Sequence, residues 1–374
     1  MTTIKPRKAI LTLREERPPS GRGGKIRLDM NENTRGAARS VVRSVRRAVI
    51  GRQLGTYPEY GTACAELARH FKVSADELLL TNGIDDAIKL ICDTFVDPGD
   101  TLLVPALTFT MYRFFQTVAG GKTAVVHHDE HLRLPLHDVL RALRQWRPRW
   151  LALANPNNPT GTMMPQDDLR AILRAAPATL VLVDEAYFDY SDHTVLTWIR
   201  RFPNLVVART FSKAYGLAGL RLGVLLARRE LTGWMRRAHA VFPVNSMAVA
   251  AALEAIRHPE EVERHVREVR ENRDRLCHCL NSLGVPYSSS AANFVFACFG
   301  PKAPQIARRL AKDGILVRHW GRDPQLHSYF RIGIGTRSEI GCLIRALRSL
   351  RHMIEPLHTD TVWRGVAEYS ATAH

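Results

Sequence analysis

The stretch Val206-Val207-Ala208-Arg209-Thr210-Phe211-Ser212-Lys213-Ala214-Tyr215-Gly216-Leu217-Ala218-Gly219-Leu220-Arg221-Leu222-Gly223 decides the fold. A short apolar run ends in Thr, Ser and one Lys, and a Gly-rich turn then carries an Arg. Only nine lysines occur in the 374 residues, so one flanked by Ser and small residues implies more than surface solvation. A desolvated Lys between strand and loop can lose its proton and attack a carbonyl to form a Schiff base. The hydroxyls of Thr210 and Ser212 with the guanidinium of Arg221 make a natural set for one phosphate dianion. On these residues alone, a buried strand followed by a snorkelling Lys stays open as the alternative.

A second stretch, Leu180-Val181-Leu182-Val183-Asp184-Glu185-Ala186-Tyr187, narrows the choice. An apolar run ending in Asp reads as a parallel strand that delivers a carboxylate at its C-terminal edge, where open α/β sheets bind ligands. An aldehyde-reactive amine, a phosphate clamp and a carboxylate for a ring nitrogen are together what pyridoxal 5'-phosphate (PLP) needs. Tyr187 could donate a hydrogen bond to the phenolic oxygen of that ring.

The third piece is Leu151-Ala152-Leu153-Ala154-Asn155-Pro156-Asn157-Asn158-Pro159-Thr160-Gly161, again a strand and a turn punctuated by Pro and Gly. Three strand ends bearing Asn, Asp and Lys in this order resemble the fold type I PLP enzymes of the class I/II aminotransferase family. Within that family the nearest likeness is to the histidinol-phosphate aminotransferases. The resemblance runs from Leu28 to about Leu350 and implies an α/β fold. A large part with a mostly parallel, seven-stranded-type sheet between helices would be followed by a smaller α+β part. The expected division is an arm with the first strand (1–35), a large PLP-binding domain (36–250), a small C-terminal domain (251–351) and a tail (352–374).

The remaining composition bounds the function. The formal net charge is +17, from 53 Lys and Arg against 36 Asp and Glu. Nucleic-acid binding is one reading of such a value. However, the arginines are scattered singly through helical stretches, with no helix-turn-helix, zinc-finger or RNP pattern, so attraction of an anionic substrate and cofactor is preferred. No apolar run reaches about 18 residues, so no membrane span is expected. The basic, Pro-containing start lacks an apolar h-region, and no signal peptide is expected. Six Cys without framework spacing fit a reducing cytoplasm. Cys277-His278-Cys279 lacks a second ligand pair, and no metal is expected.

In chain order, residues 1–24 read as a poorly ordered arm. Lys25 to Asn33 gives a short strand and a polar turn, with Thr34 where the family has Pro. Gly55-Thr56-Tyr57-Pro58 is a stiff loop. Leu78 to Thr81 is a strand, and Asn82-Gly83-Ile84-Asp85-Asp86 opens the next helix, whose N-terminal amides can bind phosphate. Asp85 and Asp86 suit a helix N-terminus and can point away from that phosphate. From 122 to 230 strands and helices alternate, including a segment at 194–200. Two long helical runs (246–257 and 259–283) lead into strands near 293–297, 314–318 and 329–336, and a final helix spans 338–350.

Carried over residue by residue, the resemblance implies that Lys213 holds the cofactor and shuttles the substrate proton. Asp184 would pair with the ring nitrogen, Asn158 and Tyr187 would hold the phenolic oxygen, and Phe109 would stack on the ring. Thr210, Ser212, Arg221 and the turn at Ile84 and Asp85 would hold the phosphate, joined by Tyr57 from the partner of a homodimer. Arg331, Arg318 and Asn33 would face the substrate, with Arg318 as the extra cation for a substrate phosphate. The amino donor expected is histidinol phosphate or an aromatic or basic amino acid, and the acceptor 2-oxoglutarate. A same-fold decarboxylase or oxidase is the alternative enzyme. A PLP-binding regulatory module would need a DNA-binding domain, for which a 24-residue arm leaves no room.

Overall fold

The computed structural model describes residues 4–13, 15, 17–321, 323–357, 362 and 363. Of the tail, 358–361 and 364–374 lie outside the described residues. Eleven strands occur among the described residues, in chain order: β1 (Ile26–Leu28), β2 (Leu78–Thr81), β3 (Thr101–Pro105), β4 (Lys122–Val126), β5 (Trp150–Ala154), β6 (Leu180–Asp184), β7 (Leu205–Thr210), β8 (Gly223–Ala227), β9 (Phe294–Cys298), β10 (Ile315–His319) and β11 (Tyr329–Gly333). They form two sheets. The large one has the order β2-β8-β7-β6-β5-β3-β4, and the small one β1-β10-β11-β9.

In the large sheet every pairing is parallel except the two made by β8, which runs against both β2 and β7. Helices cover both faces, so both are buried and the strands read as continuous apolar runs. Their alternation still sorts the layers. Trp150, Ala152, Leu180, Leu182, Val206 and Ala208 join one core, while Leu151, Leu153, Val181, Val183, Leu205 and Val207 join the other. The first core continues without a break into the helix Pro259–Ser282 and the small sheet.

This topology positions the site in two ways. Register pairs Ala154 with Asp184 and Asp184 with Ala208, so the ends of β5, β6 and β7 lie side by side at one edge. Because β8 is reversed, its beginning rather than its end lies at that edge, with Gly223 opposite both Thr81 and Thr210. Arg221 therefore arrives beside the end of β2, although 140 residues separate Thr81 from Arg221. The mostly parallel large sheet and the second, smaller sheet agree with the expected fold.

Several local expectations change. The segment 194–200 holds only a 3-10 turn, Leu196–Trp198, because Thr194 and Val195 are drawn to the Glu185 carboxylate instead of to a helical ladder. Helices at Met111–Val118 and Arg229–Ala238 were not legible beforehand. The arm is not without structure: Lys8–Leu11 forms one helical turn, and Arg7 donates to the Val118 carbonyl at 2.7 Å.

Candidate active site

At the shared edge of β5, β6 and β7 the carboxylate of Asp184 is 3 % exposed. Its Oδ2 accepts from the Tyr112 hydroxyl at 2.6 Å and its Oδ1 from the Ala186 amide at 3.0 Å. Burial raises its carboxyl to about 6, against the opposing pull of those two donors. A buried acid held this way suits a cationic partner at its open side. Tyr112 was missed by sequence reasoning, although it lies one helical turn after Phe109 in the helix that starts at Met111. The two rings meet edge-on with centroids 5.6 Å apart.

Lys213 is half-buried, and its Nζ lies 5.7 Å from the Tyr187 ring centroid and donates to the Met30 carbonyl at 3.2 Å. The Tyr187 hydroxyl in turn accepts from Asn31 Nδ2 at 3.0 Å. The turn 29–31 is thus a hub, since the Asp29 carbonyl also accepts from Arg331 at 2.8 Å. Arg22, from the arm, clamps the hub by bonding both Asp29 and Glu32. The amide that reaches the site is therefore Asn31, in the left-handed region at φ 53°. Asn33 turns the other way, donating to the Ala214 carbonyl at 3.2 Å and so bracing the loop that carries Lys213.

A candidate phosphate cradle lies where β2, β7 and β8 meet. Gly83 opens the helix Gly83–Phe95 at φ 80°, and a Cβ there would lie 2.7 Å from Arg221 Nη2. Only glycine lets the helix amides, including those of Ile84 and Asp85, share this space with the guanidinium. Thr210 and Ser212 are buried beside it, with the Ser212 amide on Thr210 Oγ1 at 3.0 Å. Thr81 Oγ1 is buried without a partner among the described residues. Asp85 turns toward the cradle. It pairs with Arg221 at 3.2 Å, while Asp86 folds back onto the Asn82 amide. The attraction is Coulombic, between a first-turn carboxylate and the guanidinium that β8 brings beside it. A buried acid, an amine and this cradle fit PLP.

The substrate-facing candidates come from the small sheet. Arg331 is 9 % exposed; it donates to Asn158 Oδ1 at 2.7 Å, and its Nε has no partner among the described residues. Burial, with the neighbouring Arg318 adding to it, lowers its guanidinium to about 10, still charged at neutral pH. Arg318 stands directly opposite Arg331 in the β10–β11 ladder and is exposed. Tyr57, by contrast, is not joined to this group by any described contact. It is 77 % exposed and stacks on Phe242 at 4.3 Å.

An amine, a buried carboxylate and an anion cradle at the carboxyl edge of this sheet define a PLP-dependent enzyme of the fold type I class. Residues 23–347 match the family described as aminotransferase class I and II, and the chain belongs to it. The family depends on PLP. Over 331 residues the chain is 37 % identical to the histidinol-phosphate aminotransferase of Symbiobacterium thermophilum, covering 87 % of this chain and 90 % of that one. Over 332 residues it is 30 % identical to that of Ruminiclostridium cellulolyticum, covering 87 % and 92 %. The solved histidinol-phosphate aminotransferase from Sinorhizobium meliloti, in complex with PLP, has a TM-score of 0.85 at 27 % identity, covering 94 % of this chain and 98 % of that one. Among the described residues no helix is long and apolar enough to cross a membrane, and no cluster of His, Cys, Asp and Glu could hold a metal.

Proposed function

We propose that this aminotransferase moves the amino group of histidinol phosphate to 2-oxoglutarate in a two-step, ping-pong reaction. One observation carries the choice of donor: Arg331 is a buried cation whose partners among the described residues are neutral oxygens, and a second guanidinium stands opposite it in the same ladder. A buried charge without a counter-ion is costly, and a bound anion offsets that cost. Two guanidiniums suit a phosphate better than a single carboxylate. The relatives at 30–37 % identity support the reading.

Bound PLP supplies an aldehyde that carries the amino group between half-reactions and a protonated ring that takes up the electron pair left at the substrate Cα. The chain does the rest. Lys213 Nζ would take the proton from Cα and return it. Asp184 would keep the proton on the ring nitrogen, with Tyr112 orienting the carboxylate. Asn158 and Tyr187 would hold the phenolic oxygen, and Phe109 would cover the ring. Thr210, Ser212, Arg221 and the amides of Ile84 and Asp85 would hold the cofactor phosphate. Asn33 would act on the substrate only through the lysine loop.

The reading includes a homodimer. Tyr57, Phe242 and Val241 form an exposed apolar group that a second copy would cover, and the partner's Tyr57 would complete the phosphate cradle. Mixing inactive Tyr57→Ala and Lys213→Ala subunits should restore part of the activity, because one hybrid site then carries both intact residues. A fully active monomer in sedimentation sinks this part. The six unpaired cysteines fit a reducing cytoplasm.

The donor is tested by steady-state kinetics with histidinol phosphate and with phenylalanine. Loss of a charge-assisted contact to a buried anion costs roughly 2–5 kcal/mol, or about 30- to 3,000-fold. Arg331→Ala should damage the use of both donors on that scale. Arg318→Ala should damage histidinol phosphate far more than phenylalanine; equal losses would make Arg318 structural. Stoichiometric consumption of 2-oxoglutarate is expected, and release of carbon dioxide without it would make the enzyme a decarboxylase.

A further inference from the structure

Val362 and Trp363 lie beyond the stretch that matches the family, and the reading above gives them no role. They nonetheless pack against the small sheet. The Tyr329 hydroxyl donates to the Val362 carbonyl at 2.5 Å, and Trp363 is 5 % exposed. The Trp363 ring stacks on Phe296 (centroids 6.0 Å, 27°) and on Tyr329 (5.9 Å, 26°), which stack on each other at 5.2 Å. Trp320 then meets Phe296 edge-on at 5.9 Å, and the Arg318 guanidinium lies 5.7 Å from the Trp320 ring.

The sheet face gives this cluster its meaning. Arg318 opposes Arg331 in register, and Arg331 opposes Phe296, so the three stand in a row across β10, β11 and β9. Tyr329, two residues before Arg331, shares that face. Trp363 therefore sits on the face that presents both guanidiniums. Ala106 and Leu107, just before Thr108 and Phe109, complete the cluster from the side of the large sheet. Arg318 is exposed and has no carboxylate partner among the described residues; the contact that orients it is the Trp320 ring. A long side chain held beforehand loses less freedom when it binds an anion.

We propose that Trp363 is a positioning residue for the substrate's phosphate group: it wedges Phe296 and Trp320 so that Arg318 stands beside Arg331. The proposal rests on the reading of Arg318 as a phosphate ligand. It assigns a task to the chain's C-terminal stretch, which the family match does not reach.

The test uses the holoprotein, in which the cofactor's own phosphate occupies the cradle at Gly83. Inorganic phosphate is titrated by calorimetry into the wild type, Arg318→Ala, Trp363→Ala, Trp363→Phe and Trp363→Leu. The heat lost in Arg318→Ala reports this face. Trp363→Ala should weaken that binding about tenfold, and Trp363→Phe should restore it to within threefold. Trp363→Leu keeps most of the buried volume, and so the fold, but offers no flat ring; it should lose as much affinity as Trp363→Ala. In turnover the loss should appear in KM for histidinol phosphate rather than in kcat, and should be at least fivefold smaller with phenylalanine. Phosphate affinity within twofold of wild type in both Trp363→Ala and Trp363→Leu, or equal losses with both donors, overturns the role of Trp363 and leaves Arg318 standing. A wild type without Arg318-dependent phosphate binding overturns the reading of Arg318 as well.

Discussion

Lys213→Ala should lower turnover by about 10⁴-fold or more, the largest effect expected of any single substitution in this chain. The estimate is the upper end of what one proton-transferring group contributes, and Lys213 is also the covalent anchor. Its surroundings support both tasks. The amine is half-buried, its recorded partners are the neutral Met30 carbonyl and the face of Tyr187, and no carboxylate pairs with it among the described residues. The purified wild type should be yellow, and borohydride should bleach the band while fixing a phosphopyridoxyl group to Lys213. Peptide mapping that finds the group on another lysine, or on none, ends the assignment.

Asp184→Ala should leave PLP bound through the cradle yet reduce turnover about 10³-fold, the scale on which a preorganised electrostatic partner acts. Without the carboxylate nothing would hold the proton on the ring nitrogen, and the ring would be a weaker electron sink. Turnover within threefold of wild type removes Asp184 from this role. A second measurement concerns stability. In the cofactor-free protein, burial raises the Asp184 carboxyl from 3.8 to about 6. The folded state then binds this proton more tightly than the unfolded one. The group's contribution is fully present below about pH 4 and is lost as pH rises through about 6. Two pKa units correspond to about 3 kcal/mol as an upper figure. Asp184→Asn removes that ionisation, so at pH 8 the cofactor-free variant should melt several degrees above cofactor-free wild type while remaining inactive. A lower melting temperature for the variant at pH 8 contradicts the burial cost.

Asp184 and Lys213 were legible because each follows an apolar run, and strand ends in an α/β sheet are where ligands bind. The cradle was legible for a related reason: a glycine before a helix, and an Arg after a Gly-rich turn, are local signals of backbone approach and anion binding. The orientation of Asp85 was not. Whether a first-turn carboxylate turns outward or onto Arg221 depends on the reversed strand β8, which brings a residue 136 positions away within 3.2 Å.

Taken alone, the sequence determined the family and the fold class, and it singled out Lys213, Asp184 and the turn at Gly83 as candidates for the amine, the ring-nitrogen acid and the phosphate site. Each of these signals is local, carried by a few neighbouring residues at the end of an apolar run. Only the tertiary structure decided that Tyr112 orients Asp184, and that Asn31 reaches Tyr187 while Asn33 turns to the Ala214 carbonyl. It also decided that Arg22 clamps the turn beneath Lys213, and that Trp363 shares a sheet face with Arg318. Apart from the Arg22 clamp, these contacts join segments far apart in sequence. Their geometry is set by strand register and by which neighbours bury a side chain, and no local pattern records either.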